Sequence, residues 1–377
     1  MQRVLFLLFL PTWLCAGDLD TVLKSAVHPK GVPCVVAMTA SRDKVLYKGA
    51  SGDCSLESVF RIYSMTKPVT SVAAMQLVER GKLELDAPVE RYLPELAALK
   101  ILTGFDASNQ PILRPATRQP TVRQLLSHTA GYGYGIWDEI LVRYTNSGGF
   151  MTAPLLFEPG TKWQYGTNTD VVGRIVERVS GQNLEDYFQQ HIFKPLGMMD
   201  TTYRPGPVLQ PRIVKRATRQ PDGAYKEDQV PLPVQITPQG GGGLFSTAAD
   251  YVRFMQMFLR GGEGVLQRKT IERMRQNQIG ALTVRKMMST NPAISRDFGF
   301  HIEAGDTFGL GFQINPLPYK NGRAANSMAW AGLWNTFFWI DPKSNLCAVI
   351  LMQSSPFFDA PAIQTLQAFE EAVYGKK

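Results

Sequence analysis

Histidine and cysteine are scarce in this chain of 377 residues, with four of each. The histidines (His28, His128, His191 and His301) fall in no His-x-x-x-His or His-Glu-x-x-His spacing, and no Cys-x-x-Cys occurs. A metal centre or a dithiol redox motif is therefore not expected, and nothing calls for a cofactor. No Gly-x-Ser-x-Gly elbow is present, which removes the signature of the α/β-hydrolase arrangement. No apolar run is long enough to span a bilayer. No internal repeat or heptad pattern stands out. With 44% hydrophobic and 19% charged residues the composition is ordinary for a globular chain, which excludes general disorder.

The charge is one-sided: 40 Lys and Arg against 32 Asp and Glu, a formal net charge of +8. The densest basic groups, Arg212-Lys215-Arg216-Arg219 and Arg268-Lys269-Arg273-Arg275, lack interleaved aromatics. Nucleic acid is therefore not an expected partner; the excess suits anionic surfaces or substrates. Residues 1–17 read as a secretion signal: Arg3 at a short positive start, an apolar core over 4–10, then Ala16 and Gly17. The expected product is an exported chain of residues 18–377, periplasmic or secreted, without stable membrane insertion. Bulky Trp13 and Leu14 before Cys15 argue against a lipid anchor there. Removing the signal leaves three cysteines, and an odd number forbids a complete disulfide set. Cys34 and Cys347 sit in apolar strand-like runs and read as buried hydrophobes. Cys54 is the candidate for one bridge.

Two Ser-x-x-Lys pairs occur, and only one is in the right place. Ser41 and Lys44 lie between two strand-like runs, 35–38 and 45–47, and read as a hairpin turn facing water. Ser64-Met65-Thr66-Lys67 is followed by Pro68 and an apolar-periodic run ending at Gly81. That pattern predicts the first turn of a buried helix, with Gly81 as a left-handed stop. Residues at i and i+3 share a helix face, so Lys67 reaches the Ser64 hydroxyl: a nucleophile with a base beside it.

Around this helix the pattern predicts an N-terminal helix over 20–26 and a mainly helical block over 85–235, with helices at 121–127, 169–180 and 184–193. The run Gln239 to Gly243 leads into a helix that Thr247 and Asp250 open as a capping box. It is not a phosphate loop, since no Gly-Lys-Ser/Thr follows, and reads as close backbone packing or a wall of the site. Strand patterns at 309–314, 327–332, 335–340 and 346–352 suggest an antiparallel meander, followed by a helix over 361–374. Strands at both ends of the chain around a helical block argue for an α/β sandwich whose sheet joins the termini.

Ser64-x-x-Lys67, the segments Phe60 to Pro68, Leu125 to Gly131 and Gly242 to Thr247, Tyr165, and Trp330-Ala331-Gly332 together resemble the serine β-lactamase and penicillin-binding-protein superfamily. The closest likeness is to its class C-like branch, in particular the β-lactamase-like (family VIII) carboxylesterases, and it covers nearly the whole mature chain. The resemblance implies a mostly antiparallel sheet flanked by helices, and catalysis by Ser64 with Lys67 and Tyr165 sharing one proton. It places the backbone N–H groups of Ser64 and Leu333 in the oxyanion hole, donors worth roughly 3–4 kcal/mol each in acyl transfer. Gly332 would permit close approach, Trp330 would edge the site, and Trp137 and Trp163 would supply apolar walls. Two departures from the branch stand out. Trp330 replaces the lysine of Lys-Thr-Gly, which removes a cation that holds a substrate carboxylate. Thr167 stands where an asparagine follows the tyrosine by two, leaving Asn168 as the candidate amide.

The leading expectation is a serine hydrolase acting on small-molecule esters or amides, with slow β-lactam turnover as a side reaction. A β-lactamase, a D,D-peptidase or D-amino-acid amidase, a transacylase and a non-catalytic penicillin-binding sensor stay open as alternatives.

Overall fold

The computed structural model describes residues 16–144, 153–229, 237–299 and 304–375. The expected signal sequence therefore lies almost wholly outside the described residues. The strands are β1 Cys34–Ala40, β2 Val45–Gly52, β3 Phe60–Arg61, β4 Lys100–Phe105, β5 Pro111–Pro115, β6 Ala217–Arg219 and β7 Tyr225–Glu227. They continue with β8 Phe245–Ser246, β9 Thr307–Phe308, β10 Gln313–Ile314, β11 Met328–Gly332, β12 Thr336–Asp341, β13 Leu346–Leu351 and β14 Ser354–Ser355. The helices are α1 Ala16–Ala26, α2 Thr66–Glu79, α3 Val122–Leu126, α4 Glu139–Arg143, α5 Asn168–Ser180, α6 Leu184–Phe188, α7 Lys194–Leu196, α8 Ala248–Leu259, α9 Arg268–Met274 and α10 Ala360–Tyr374.

Seven strands form one antiparallel sheet in the order β2-β1-β13-β12-β11-β10-β9. The pairing of Val36 with Leu351 and Ala40 with Cys347 joins the N-terminal hairpin to the C-terminal meander, as the sequence pattern predicts. Both faces are covered. Successive side chains of a strand point to opposite sides, and on β12 Phe338 packs 5.0 Å from Tyr251 of α8 while Trp339 packs 5.8 Å from Phe369 of α10. Hence β1, β12 and β13 are buried along their whole length rather than alternating.

The block over 85–235 holds the expected helices, but also the hairpins β4–β5 and β6–β7. Strand β5 is exposed at every residue, so it carries no buried-face pattern to betray it. Of the expected capping box at α8, only half forms. Thr247 Oγ1 accepts the Asp250 N–H, while the Asp250 carboxylate accepts from Asp200 N–H and Thr201 Oγ1 instead. The complete box is at α3, between Thr121 and Gln124. Cys34, Cys54 and Cys347 are free thiols, so the bridge envisaged for Cys54 is not formed.

Helix α2 is buried from Thr66 to Leu77, and its polar side chains Lys67, Thr70, Ser71 and Gln76 find hydrogen-bond partners inside. It ends as predicted at Gly81 (φ +66°), where Gly81 N–H reaches Val78 O and Lys82 N–H reaches Leu77 O. Ser64 precedes the helix rather than opening it, in a 3₁₀ turn over Tyr63–Met65. That turn is wedged against the end of β11: a Cβ on Gly332 would lie 2.1 Å from Ile62 O and 2.4 Å from Thr336 Oγ1. Both obstacles belong to ordered backbone or a buried side chain, so Gly332→Ala must push the turn that carries Ser64 off the sheet. We expect it to lower stability by about 1–3 kcal/mol, the usual cost of overpacking, read as a fall in Tm. An unchanged Tm would show that the turn yields freely.

Candidate active site

Ser64 is held by its neighbours on both sides. Strand β3 pairs with β8, and Ile62 N–H donates to Leu244 O at 2.9 Å. On the other side Met65 O accepts the Tyr251 hydroxyl at 2.9 Å. Between them Tyr63 adopts φ +44°, a left-handed conformation that an aromatic residue rarely takes. Strain of this kind costs on the order of 1–3 kcal/mol and persists only where the surroundings impose it.

The Lys67 ammonium lies 3.2 Å from Ser64 Oγ, as the i, i+3 spacing predicts. It also donates to the Tyr134 hydroxyl at 3.1 Å and to Gly241 O at 2.7 Å. Its three N–H groups are thus matched by three oxygens, which a nearly wholly buried ammonium requires. By contrast Ser41 bonds the Lys44 backbone in the β1–β2 turn, where Ser41 is half-buried and Lys44 exposed.

The glycine run forms a wall of the site. Thr70 Oγ1 donates to Gly240 O, and the Asp170 carboxylate accepts the Gly241 N–H at 2.8 Å. A Cβ on Gly241 would lie 2.3 Å from Asp170 Oδ2, so only glycine lets the loop reach both Asp170 and Lys67. Burial pushes the Asp170 carboxyl above its ordinary value, against the pull of Lys67 and the Gly241 N–H. Burial first, then the charge and hydrogen bond of Asp170, hold the Tyr134 phenol well above its ordinary value. Tyr134 is therefore a neutral hydroxyl that receives from Lys67 and gives to Asp170.

A cavity of about 270 Å³ opens on Ser64, lined by Arg61, Tyr63, Tyr134, Ile136, Trp137, Thr167, Asp170, Gln239, Gly241, Gly242, Gly243 and Leu333. Leu333 is among the residues that line it, together with Ser64. Trp137 forms part of the wall, its indole N–H held by Ser295 Oγ at 3.0 Å.

Other expected residues lie elsewhere. Trp330 does not line this cavity: at 2% exposure it sits behind the site, within 5.3–5.7 Å of Phe308 and Phe298. Strand β11 is buried on both faces, so its pattern cannot tell which side meets substrate. Trp163 is likewise packed on Phe308, at 5.7 Å. Asn168 is buried and its amide donates to His128 Nδ1 at 2.9 Å, which identifies the acceptor nitrogen of a neutral imidazole; Thr167 takes the place facing the cavity. Burial and Lys67 push His128 well below its ordinary value, in keeping with that neutral state.

Tyr165 meets the dyad by its ring, not its hydroxyl. Lys67 Nζ is 4.9 Å from the ring centroid, while the hydroxyl accepts from Trp330 Nε1 at 3.4 Å. Tyr134, which sequence reasoning passed over, supplies the hydroxyl on Lys67. Its only signal was its place in the loop after Gly131. Losing a positioned proton-transfer group costs about 10²-fold or more. We expect that loss in kcat/KM on a chromogenic ester for Tyr134→Phe, and a smaller one for Tyr165→Phe. The reverse order would show that the Tyr165 hydroxyl turns to the dyad during turnover.

The chain is 29% identical over 394 residues to the ML-236A carboxylate methylbutanoyltransferase of Penicillium citrinum, covering 96% of this chain and 94% of that protein. It is 29% identical over 395 residues to the lovastatin esterase of Penicillium rubens, covering 95% and 98%. Among solved structures, unliganded simvastatin synthase from Aspergillus terreus superposes with a TM-score of 0.83 at 27% identity, covering 94% of this chain and 97% of that one. These similar proteins are acyltransferases and esterases, so the coarse activity is that of an acyl-transferring serine enzyme. The Beta-lactamase family profile matches residues 19–371, and the chain belongs to that family.

Proposed function

We propose that this enzyme cleaves carboxylic esters through an acyl-Ser64 intermediate, which water resolves or an alcohol intercepts. The observation that carries the reading is the Ser64–Lys67 contact of 3.2 Å at the floor of an open cavity. Ester rather than β-lactam substrates are favoured because Trp330 stands where the related β-lactamases carry lysine, and because aromatic and aliphatic side chains line much of the cavity. The names of the similar proteins support both fates of the acyl group, one being an esterase and another a transferase of a methylbutanoyl group.

The residues suggest an order of proton movements. An ammonium cannot accept a proton, so Lys67 must first release one. Tyr134 Oη receives it and passes its own proton to Asp170, whose raised affinity for protons suits it as acceptor. The neutral amine then takes the Ser64 proton as Oγ attacks the ester carbonyl. The backbone N–H groups of Ser64 and Leu333 receive the developing oxyanion. When the tetrahedral species collapses, Lys67 returns the proton to the departing alkoxide. Water or an alcohol repeats the sequence in reverse on the acyl-enzyme.

Initial rates on p-nitrophenyl butyrate and on a chromogenic cephalosporin, with and without added alcohol, test the proposal. Ester turnover should exceed cephalosporin turnover, alcohol should divert acyl groups into a new ester, and Ser64→Ala should abolish all of it. Activity that survives Ser64→Ala would remove the nucleophile and the mechanism with it.

The relay makes a separate prediction about pH. Asp170 must be ionised to receive a proton, so kcat/KM should fall as pH drops through its raised value. Asp170→Asn can still accept the Gly241 N–H but cannot take a proton. It should cost about 10²-fold and erase that acid limb. A limb that persists in the variant belongs to another group.

A further inference from the structure

We propose that Arg61 is an anion-binding residue of the substrate cavity and that the preferred esters carry a carboxylate. The inference rests on the ester-acting reading above and names the class of ester.

Arg61 lies on β3 and lines the same cavity as Ser64. Its guanidinium is 4.7 Å from the Tyr63 ring centroid and 6.0 Å from that of Phe245. Stacking of this kind fixes the plane of the fork before any ligand arrives. Among the described residues no carboxylate pairs with it, and its buried Nε has no hydrogen-bond partner. Gln353 stands next to it, accepting the Arg61 backbone N–H through Oε1 at 2.8 Å, and Gln353 Nε2 is a second buried donor without a partner.

The other charges around the cavity are accounted for. Lys67 has its three oxygens and faces Asp170, so those two charges cancel. Arg216, whose guanidinium lies 4.6 Å from the Trp334 ring centroid, is paired with Asp228. Among the described residues Arg61 is thus a positive charge on the wall of the pocket with no carboxylate paired to it. A buried donor without a partner is expensive, and a guanidinium matches a carboxylate through two parallel N–H···O bonds. The cation that the third element lacks at Trp330 is thus supplied from another strand, at a different place relative to the nucleophile.

Two matched pairs of esters test this. One carries the charge on the acyl side: mono-p-nitrophenyl glutarate against p-nitrophenyl methyl glutarate. The other carries it on the alcohol side: 3-acetoxybutyrate against its methyl ester. A hydrogen bond between charged groups corresponds to roughly 10- to 100-fold. In the wild-type enzyme kcat/KM should favour the anionic member by that factor in at least one pair. Arg61→Gln should bring that ratio close to one, and Arg61→Lys should keep part of it. Ratios at or below one in both wild-type pairs, or a preference that survives Arg61→Gln, would overturn the proposal. Calorimetry reads binding without turnover: glutarate should bind the Ser64→Ala protein at least tenfold tighter than dimethyl glutarate does. Equal binding overturns the anion site whatever the ester assays show. Selective binding of glutarate without ester turnover would instead sink the ester reading and leave the anion site standing.

Discussion

Lys67 carries its ammonium into the interior at 1% exposure, and the chain meets it with oxygens from three distant segments: Ser64 at its own turn, Tyr134 in a loop after α3, and Gly241 in the glycine run. An isolated buried charge costs several kcal/mol or more. That cost makes the three segments mutually dependent, because moving any of them away strands an N–H in a dry environment. Asp170, at the start of α5, adds the opposite charge and clamps Gly241 from the other side. Helix α2, helix α5 and the glycine run therefore converge on one ion, and the Ser64 hydroxyl is ordered as a consequence of satisfying it.

The same convergence explains what the sequence could and could not disclose. Local pattern was enough to separate Ser64 from Ser41, because a proline and an apolar run follow one and a turn surrounds the other. It was enough for the stop at Gly81 and for the meander that β1 completes. Tyr134, Asp170 and Arg61 were not legible, since each acts on residues 67 or more positions away or through a cavity that exists only after folding. A tyrosine in a loop, an aspartate in the first turn of a helix and an arginine in a short strand all have ordinary readings. Thr167 and Asn168 show the finest limit. They are adjacent in sequence, yet one faces the cavity and the other faces His128: the motif spacing falls on Thr167, while the residue type had pointed to Asn168.

Trp330 illustrates how a resemblance can be right about a position and silent about a side chain. Its strand edges the site as the family pattern implies. Its indole, however, points into the aromatic cluster of Phe298, Phe308 and His128 and holds the Tyr165 hydroxyl. The lysine it replaces would have needed water or an anion beside it. An indole there can turn inward and extend the core under the site. The electrostatics of the cavity are then set by whatever cation remains, which is why the unpaired state of Arg61 carries weight.

The backbone N–H groups of Ser64 and Leu333, proposed above as oxyanion donors, are flanked by strained turns on both sides of the cavity. Tyr63 precedes Ser64 at φ +44°, and Trp334 and Asn335 follow Leu333 at φ +71° and +64°. Such conformations relax unless something holds them. On the Leu333 side the hold is Asn335. Its amide nitrogen donates to Ser354 O, Ser354 Oγ and Pro356 O, and its oxygen accepts from Phe358 N–H. On the Ser64 side it is the β3–β8 pairing and the contact of Gly332 with Ile62. The two strained turns also touch, Tyr63 and Trp334 meeting edge-on at 4.3 Å. Neither N–H can therefore swing away without breaking packing in the other turn. In the proposed mechanism a pair of donors fixed in this way needs no rearrangement when charge develops on the carbonyl oxygen, and such absence of reorganisation favours acyl transfer.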